Sequence, residues 1–319
     1  MGRLSGILVG IVALGLLSCG GAKRDQVIDE QAAVVPVALV VEQEIAGVVL
    51  GARLSRPFGL AIDGRGSLYC VDAGNHRIIQ FHSDLTPVRE IGGHGSAAGL
   101  LDGPTFAVID NELNLLVTDE GNRRLARFDN RLTYAGDIAF YDSEDLLKFG
   151  YPSGAALTEF GELWIADRDQ NRIAVFNHVG QFDRFVGDFG YSGDQVHSPE
   201  KIVVGRQGGF LVCDAGNSRL VVYDDYGNFV RSISSPELDY PIAVTIDGHG
   251  LWVVDGVVGR LFLFSHQGER KLMVGPQMSG TSIDLREPSD VAILPDGRIV
   301  VSDTGNDRLL VCRIISPER

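Results

Sequence analysis

Short apolar runs alternate with clusters of Gly, Asn and Asp along most of the chain, and the alternation repeats six times. LYCV, LLVT, LWIA, FLVC, LWVV and IVVS each end on an aspartate: Asp72, Asp119, Asp167, Asp214, Asp255 and Asp303. Five residues after each aspartate an arginine opens the next apolar run: Arg77, Arg124, Arg172, Arg219, Arg260 and Arg308. Runs this short, rich in β-branched and aromatic residues, predict strands. The Gly/Asn-rich segment between them predicts a hairpin turn, since those residues tolerate left-handed backbone. Upstream of each aspartate a proline leads another strand, as in RPFGLAID from Arg56 and SPEKIVV from Ser198. Downstream of the arginine strand comes a fourth run, such as PVREIGG from Pro87. A repeat period of about 40–50 residues points to a propeller or an array, and four antiparallel strands per repeat is the make-up of a propeller blade.

The last repeat is one strand short. After Arg308 only LLVCRII fits, whereas the N-terminal stretch Val37 to Gly47 resembles the fourth strand of the other repeats. The expectation is an all-β, six-bladed β-propeller of four-stranded antiparallel blades, closed by the N-terminal strand completing the last blade. Closure of this kind removes open sheet edges that invite aggregation.

The pattern Pro-x-Gly-x-Ala-x-Asp, a strand, then Asp-x-x-Asn-x-Arg-Ile resembles the NHL repeat family from Val37 to the C-terminus. The first, second, fourth and sixth copies match well. The third carries Asp169 and Gln170, and the fifth Val257 and Val258, where Gly and Asn are usual. Membership implies a six-bladed propeller.

The length suits one propeller, residues 37–319, without a second domain of ordinary size. Residues 1–18 read as a targeting segment: Arg3, then the apolar run Ile7 to Leu17. Leu16-Leu17-Ser18-Cys19 resembles the lipobox of bacterial lipoproteins, which makes Cys19 the lipid-modified N-terminus and residues 19–36 a flexible tether. The expected address is the bacterial cell envelope, with the outer membrane favoured if the host has one, because no Asp follows Cys19. Contact with membrane is then through the lipid anchor alone. Cys70, Cys213 and Cys312 sit in apolar slots of the repeat and read as buried thiols. A net charge of −14 without a Lys/Arg cluster lacks the phosphate-neutralising surface of a nucleic-acid binder.

A charged pair present in every repeat serves what every blade needs, so the six Asp/Arg pairs read as structural: the Asp accepts hydrogen bonds from its own turn, the Arg meets carboxylates or strand-end carbonyls. Positions that break the repeat are better candidates for function. If the Pro-led strand is innermost, Arg56, Phe58, Phe106, Tyr151, Glu200, Lys201, Tyr240, Glu287 and Asp290 line a central mouth that differs from blade to blade. Peptide-amidating lyases resemble NHL propellers and hold zinc through three inward histidines; here only His197 lies near a blade proline, with His94 in a loop and His76 in a turn. Lactonase-like propellers hold calcium with inward oxygens, a role open to Glu200, Glu287 and Asp290. No nucleophile elbow G-x-S-x-G occurs. Two readings follow: a non-catalytic scaffold binding an envelope protein or small ligand without an obligate cofactor, or a lyase- or lactonase-like enzyme using calcium or zinc at the mouth. Trp164 and Trp252 are expected in the core between blades, and the acidic insertion Tyr141 to Pro152, with room for a short helix, as a partner contact or a solvated loop.

Overall fold

The computed structural model describes residues 38–139, 150–206, 208–276 and 283–315. The expected targeting segment, Cys19, the expected tether and most of the acidic insertion lie outside these residues. Within them the repeats form six four-stranded antiparallel sheets. We call the strands of a blade a to d. Blade 1 is Pro57–Ile62, Leu68–Asp72, Arg77–Phe81 and Pro87–Gly92. Blade 4, with the same plan, is Pro199–Val204, Phe210–Asp214, Arg219–Tyr223 and Phe229–Ser234. Strands b are buried along their whole length, as continuous apolar runs require of a sheet covered on both faces.

Strand order within a blade runs a-b-c-d, and neighbouring a strands touch one another in ring order, so the Pro-led strands surround the axis. Each a strand bulges just after its proline: Pro57 pairs with Asp72, but the next partner pair is Leu60 with Cys70. The bulge re-aims the second and third residues of the strand, as bulges do near sites.

Blade 6 is built from both ends of the described chain. Ala38–Ala46 pairs antiparallel with Arg308–Ile315, from Ala38 opposite Ile315 to Ala46 opposite Arg308. Leu310 and Cys312 share an apolar core with Leu39, and Leu309 and Val311 share one with Leu60, Cys70, Ile79 and Phe81 of blade 1. Trp164 and Trp252 are fully buried; Trp164 stacks on Phe210 of the next blade with ring centroids 3.6 Å apart. Cys70, Cys213 and Cys312 are free and buried.

The repeated Asp, Asn and Arg form one clamp. Asp72 accepts the Ser55 N–H (2.8 Å), the Asn75 side-chain amide (2.8 Å) and Arg77 Nε (2.7 Å). Asp119, Asp214 and Asp303 repeat this with Asp102, His197 and Arg286 as amide donors. The Arg then reaches the loop entering its own blade: Arg219 Nη2 donates to the Ser192 and Gln195 carbonyls at 2.5 and 2.9 Å. The divergent copies depart. Arg172 Nε stands 3.5 Å from Asp167 and its guanidinium lies over Phe185, while Asp255 accepts only backbone N–H groups among the described residues.

Candidate functional site at the axial mouth

The third residue of strand a alternates around the ring: Gly59, Phe106, Gly154, Lys201, Ala243, Asp290. The small residues are dictated by neighbouring backbone. A Cβ on Gly59 would stand 2.4 Å from the Thr105 carbonyl oxygen, and one on Gly154 2.5 Å from that of Glu200. The large residues of blades 2, 4 and 6 meet in the space this leaves. Lys201 Nζ donates to Asp290 Oδ1 at 2.5 Å and sits 5.7 Å from the centre of the Phe106 ring. Phe58 packs edge-on against Phe106 at 5.3 Å. Asp290 also accepts the Leu60 and Val291 N–H groups, both at 2.7 Å. Burial pushes its carboxyl up, against the pull of Lys201. Phe106 and Asp290 are almost completely buried, so these three side chains close the axis at this level.

Above the plug, at the end where the b–c turns lie, a second cluster faces the mouth. Glu200 is the second residue of strand a in blade 4, where other blades carry Phe58, Thr105, Ser153, Ile242 and Ser289. Only 1% of it is exposed. Its Oε1 accepts from Arg168 Nη1 (3.3 Å) and from the Tyr240 hydroxyl (3.2 Å). Its Oε2 is buried and has no donor among the described residues. Burial pushes the Glu200 carboxyl up to about 7, against the opposing pull of Arg168. Arg168 also donates to Glu120 Oε2 at 3.0 Å. Burial weakens the charge on Arg168, but Glu200 and Glu120 more than offset this and hold its pKa above the ordinary value. Glu120, with Thr105 also beside its carboxyl, is raised by burial. Tyr151, half open to solvent, has Arg123 and Arg168 each 5.9 Å from its ring centre, within cation–π range.

The mouth residues expected from sequence therefore separate into three groups. Glu200 and Tyr240 meet directly, and Tyr151 joins them through Arg168. Phe106, Lys201 and Asp290 form the plug below, with Phe58 packed against Phe106. Arg56 and Glu287 are exposed, each in left-handed backbone just before its proline (φ 47° and 45°). Arg56 is held through its N–H, which donates to Asp307 of blade 6 at 2.7 Å. Glu120 and Arg168 were not among those expectations. Each directly follows a repeated Asp, where the other copies have Ala73, Ala215, Gly256 and Thr304; that break was the available signal.

Glu200, Glu287 and Asp290 do not converge as a ligand set among the described residues; His76, His94 and Asp102 do.

The NHL repeat family model matches residues 197–223 and 285–312, the fourth and sixth copies of the repeat. Over 124 residues, 38% of this chain, the sequence is 30% identical to the protein brain tumor of Drosophila melanogaster and to the B-box type zinc finger protein ncl-1 of Caenorhabditis elegans. The match spans 12% and 15% of those proteins. Among solved structures, a streptogramin B lyase superposes with a TM-score of 0.62 at 12% identity, covering 88% of this chain and 98% of that one. A Xanthomonas campestris gluconolactonase gives a TM-score of 0.65 at 14% identity, covering 89% and 93%. The virginiamycin B lyase of Staphylococcus aureus gives 0.60 at 14% identity, covering 88% and 100%. At such identities the likeness is one of fold.

Proposed function

We propose that this chain, a six-bladed β-propeller carrying NHL repeats, is a lipid-anchored protein of the cell envelope that holds a polar ligand or partner group at its axial mouth without transforming it. The observation that carries the binding reading is Glu200: one carboxylate oxygen is fixed by Arg168 and Tyr240, and the other is buried with no donor among the described residues. A buried acceptor of this kind is costly unless something donates to it. A hydroxyl, ammonium or amide N–H of a bound molecule suits it, with Tyr151 and Tyr240 offering ring faces alongside. The lipobox at Cys19 supports the anchored address. Ala38, where the described chain begins, lies on the face opposite the mouth, opposite Ile315 in the last sheet.

The test is a thermal-shift screen of the full chain in detergent against polyols, amines and short peptides. Binding that stabilises the native state raises Tm by mass action. The expected result is a class of donors that raises Tm in the wild type and not in Glu200→Gln. A ligand whose effect survives that substitution would place binding elsewhere.

A second reading rests on one property of the same residue. A carboxyl titrating near 7 is matched to proton transfer at neutral pH, which suits a lyase- or lactonase-like enzyme. Turnover of a lactone or of the ligand found in the screen, lost in Glu200→Gln, would favour this reading over pure binding.

A further inference from the structure

Away from the axis, where blade 1 joins blade 2, three potential metal ligands converge. His76 ends the b–c turn of blade 1 in left-handed backbone, φ 52° and ψ 38°. His94 and Asp102 lie on the loop that leads into strand a of blade 2. Asp102 Oδ1 is 3.5 Å from His94 Nε2 and 3.6 Å from His76 Nδ1, and the two imidazole rings are 4.5 Å apart. The three ligand atoms all lie within 4.8 Å of one another. Zinc bound at about 2.0–2.2 Å by nitrogen and oxygen ligands in a tetrahedron separates them by about 3.3–3.6 Å, close to the two spacings from Asp102 to the imidazoles. Side-chain exposures of 28%, 70% and 43% for His76, His94 and Asp102 leave one side of the group open to a further ligand.

Most of what holds the loop does not involve these side chains. Leu101 N–H donates to the Gly93 carbonyl, and Gly95 N–H to that of Leu101. Arg124 Nη2 grips the Leu100 carbonyl at 2.5 Å and Asn122 the Gly95 carbonyl at 3.0 Å. The loop from blade 3 into blade 4 is built the same way and has the same length. Phe189 pairs with Val196 as His94 pairs with Leu101, and Arg219 and Asn217 supply the same grips. In that second copy the three positions are Phe189, His197 and Asn171. Asn171 Oδ1 accepts the Ser198 N–H at 2.8 Å, as His76 Nδ1 accepts the Gly103 N–H at 3.1 Å. The scaffold thus forms without a His/His/Asp set: the backbone asks for an acceptor at the His76 position but not for the side chains of His94 and Asp102. An ion bound at His76 Nδ1 takes the place of the Gly103 N–H there.

We propose that His76, His94 and Asp102 form a divalent transition-metal site of zinc type, separate from the mouth. Two imidazoles and one carboxylate suit zinc rather than calcium, which takes oxygen ligands. The open fourth position accepts water or a donor from a bound partner.

The full chain, purified in detergent and stripped with chelator, is titrated with Zn²⁺ by calorimetry. It is titrated with Co²⁺ in parallel, whose visible spectrum reports four-coordination. One ion per chain is expected. His94→Phe and His76→Asn, which install the residues of the second loop, should fold with unchanged metal-free Tm. They should weaken zinc binding about 100-fold or more, since even the loss of an outer-shell partner costs 10–100-fold. Glu200→Gln should leave it intact. No saturable zinc binding in the wild type, or tight binding that survives His94→Phe and His76→Asn, would overturn the site; so would its loss in Glu200→Gln.

Discussion

At the scale of single residues, charge buried near the axis makes the sharpest predictions. The folded state raises the Glu200 carboxyl from 4.5 to about 7. A carboxyl raised on folding holds its proton more tightly in the native state, so its contribution to stability is present below its unfolded pKa and is lost as pH rises through about 7. Glu200→Gln removes that loss. Between pH 5 and pH 8 the variant's Tm should fall less than the wild type's; parallel profiles would contradict the assignment. Lys201 and Asp290 depend on each other more strictly. Lys201→Met leaves the Asp290 carboxylate buried with only two backbone donors and should cost about 3–5 kcal/mol in denaturant unfolding. Lys201→Met combined with Asp290→Asn should cost less than the sum of the single changes. Glu200, Lys201 and Asp290 were legible in the sequence because they interrupt small or apolar slots next to a proline. Glu120 and Arg168 escaped because they sit beside the repeated Asp, and attention to the constant residue hid the variable one. Only the ring brings blades 2, 3 and 4 together at that point, so no spacing along the chain reports it.

At the scale of elements, strand order and turn positions could be read from apolar periodicity and Gly/Asn punctuation, and the two divergent copies are those whose clamps are incomplete. The Asn217 side chain donates to Asp214 and to the Gly190 carbonyl, while the Gln170 side chain at the same place in blade 3 donates to the adjacent Asp169, and Asp167 takes its backbone N–H instead. Asn217→Ala should therefore cost about 1.5–3 kcal/mol, the range for hydrogen bonds to charged groups. Gln170→Ala should stay within about 0.5 kcal/mol, as for ordinary surface substitutions. Equal losses at the two positions would show that the clamp is not what stabilises the turn. The loops entering blades 2 and 4 were less legible. Their shared length and grips appear only once Arg124 and Arg219 are seen to bind carbonyls some 24 residues upstream. For that reason His76 and His94, far apart in sequence, were placed in a turn and a loop without any sign that they meet.

At the scale of the whole molecule, ring closure was the strongest inference available from sequence, because a missing fourth strand at one end and a spare strand at the other demand each other. Its energetic anchor is Leu39, buried to 3% among residues of the last blade. Leu39→Ala should cost about 2–5 kcal/mol; a near-neutral change in an unfolding titration would mean that the last blade holds without its N-terminal strand. The size alternation at the third position of the inner strands could also be read from the sequence, but its meaning needed the axis. Phe106, Lys201 and Asp290 fill the space that Gly59, Gly154 and Ala243 concede. A ring with such a stopper is a cup and not a pipe. A ligand held at the Glu200 end, as proposed above, would then enter and leave by that one opening.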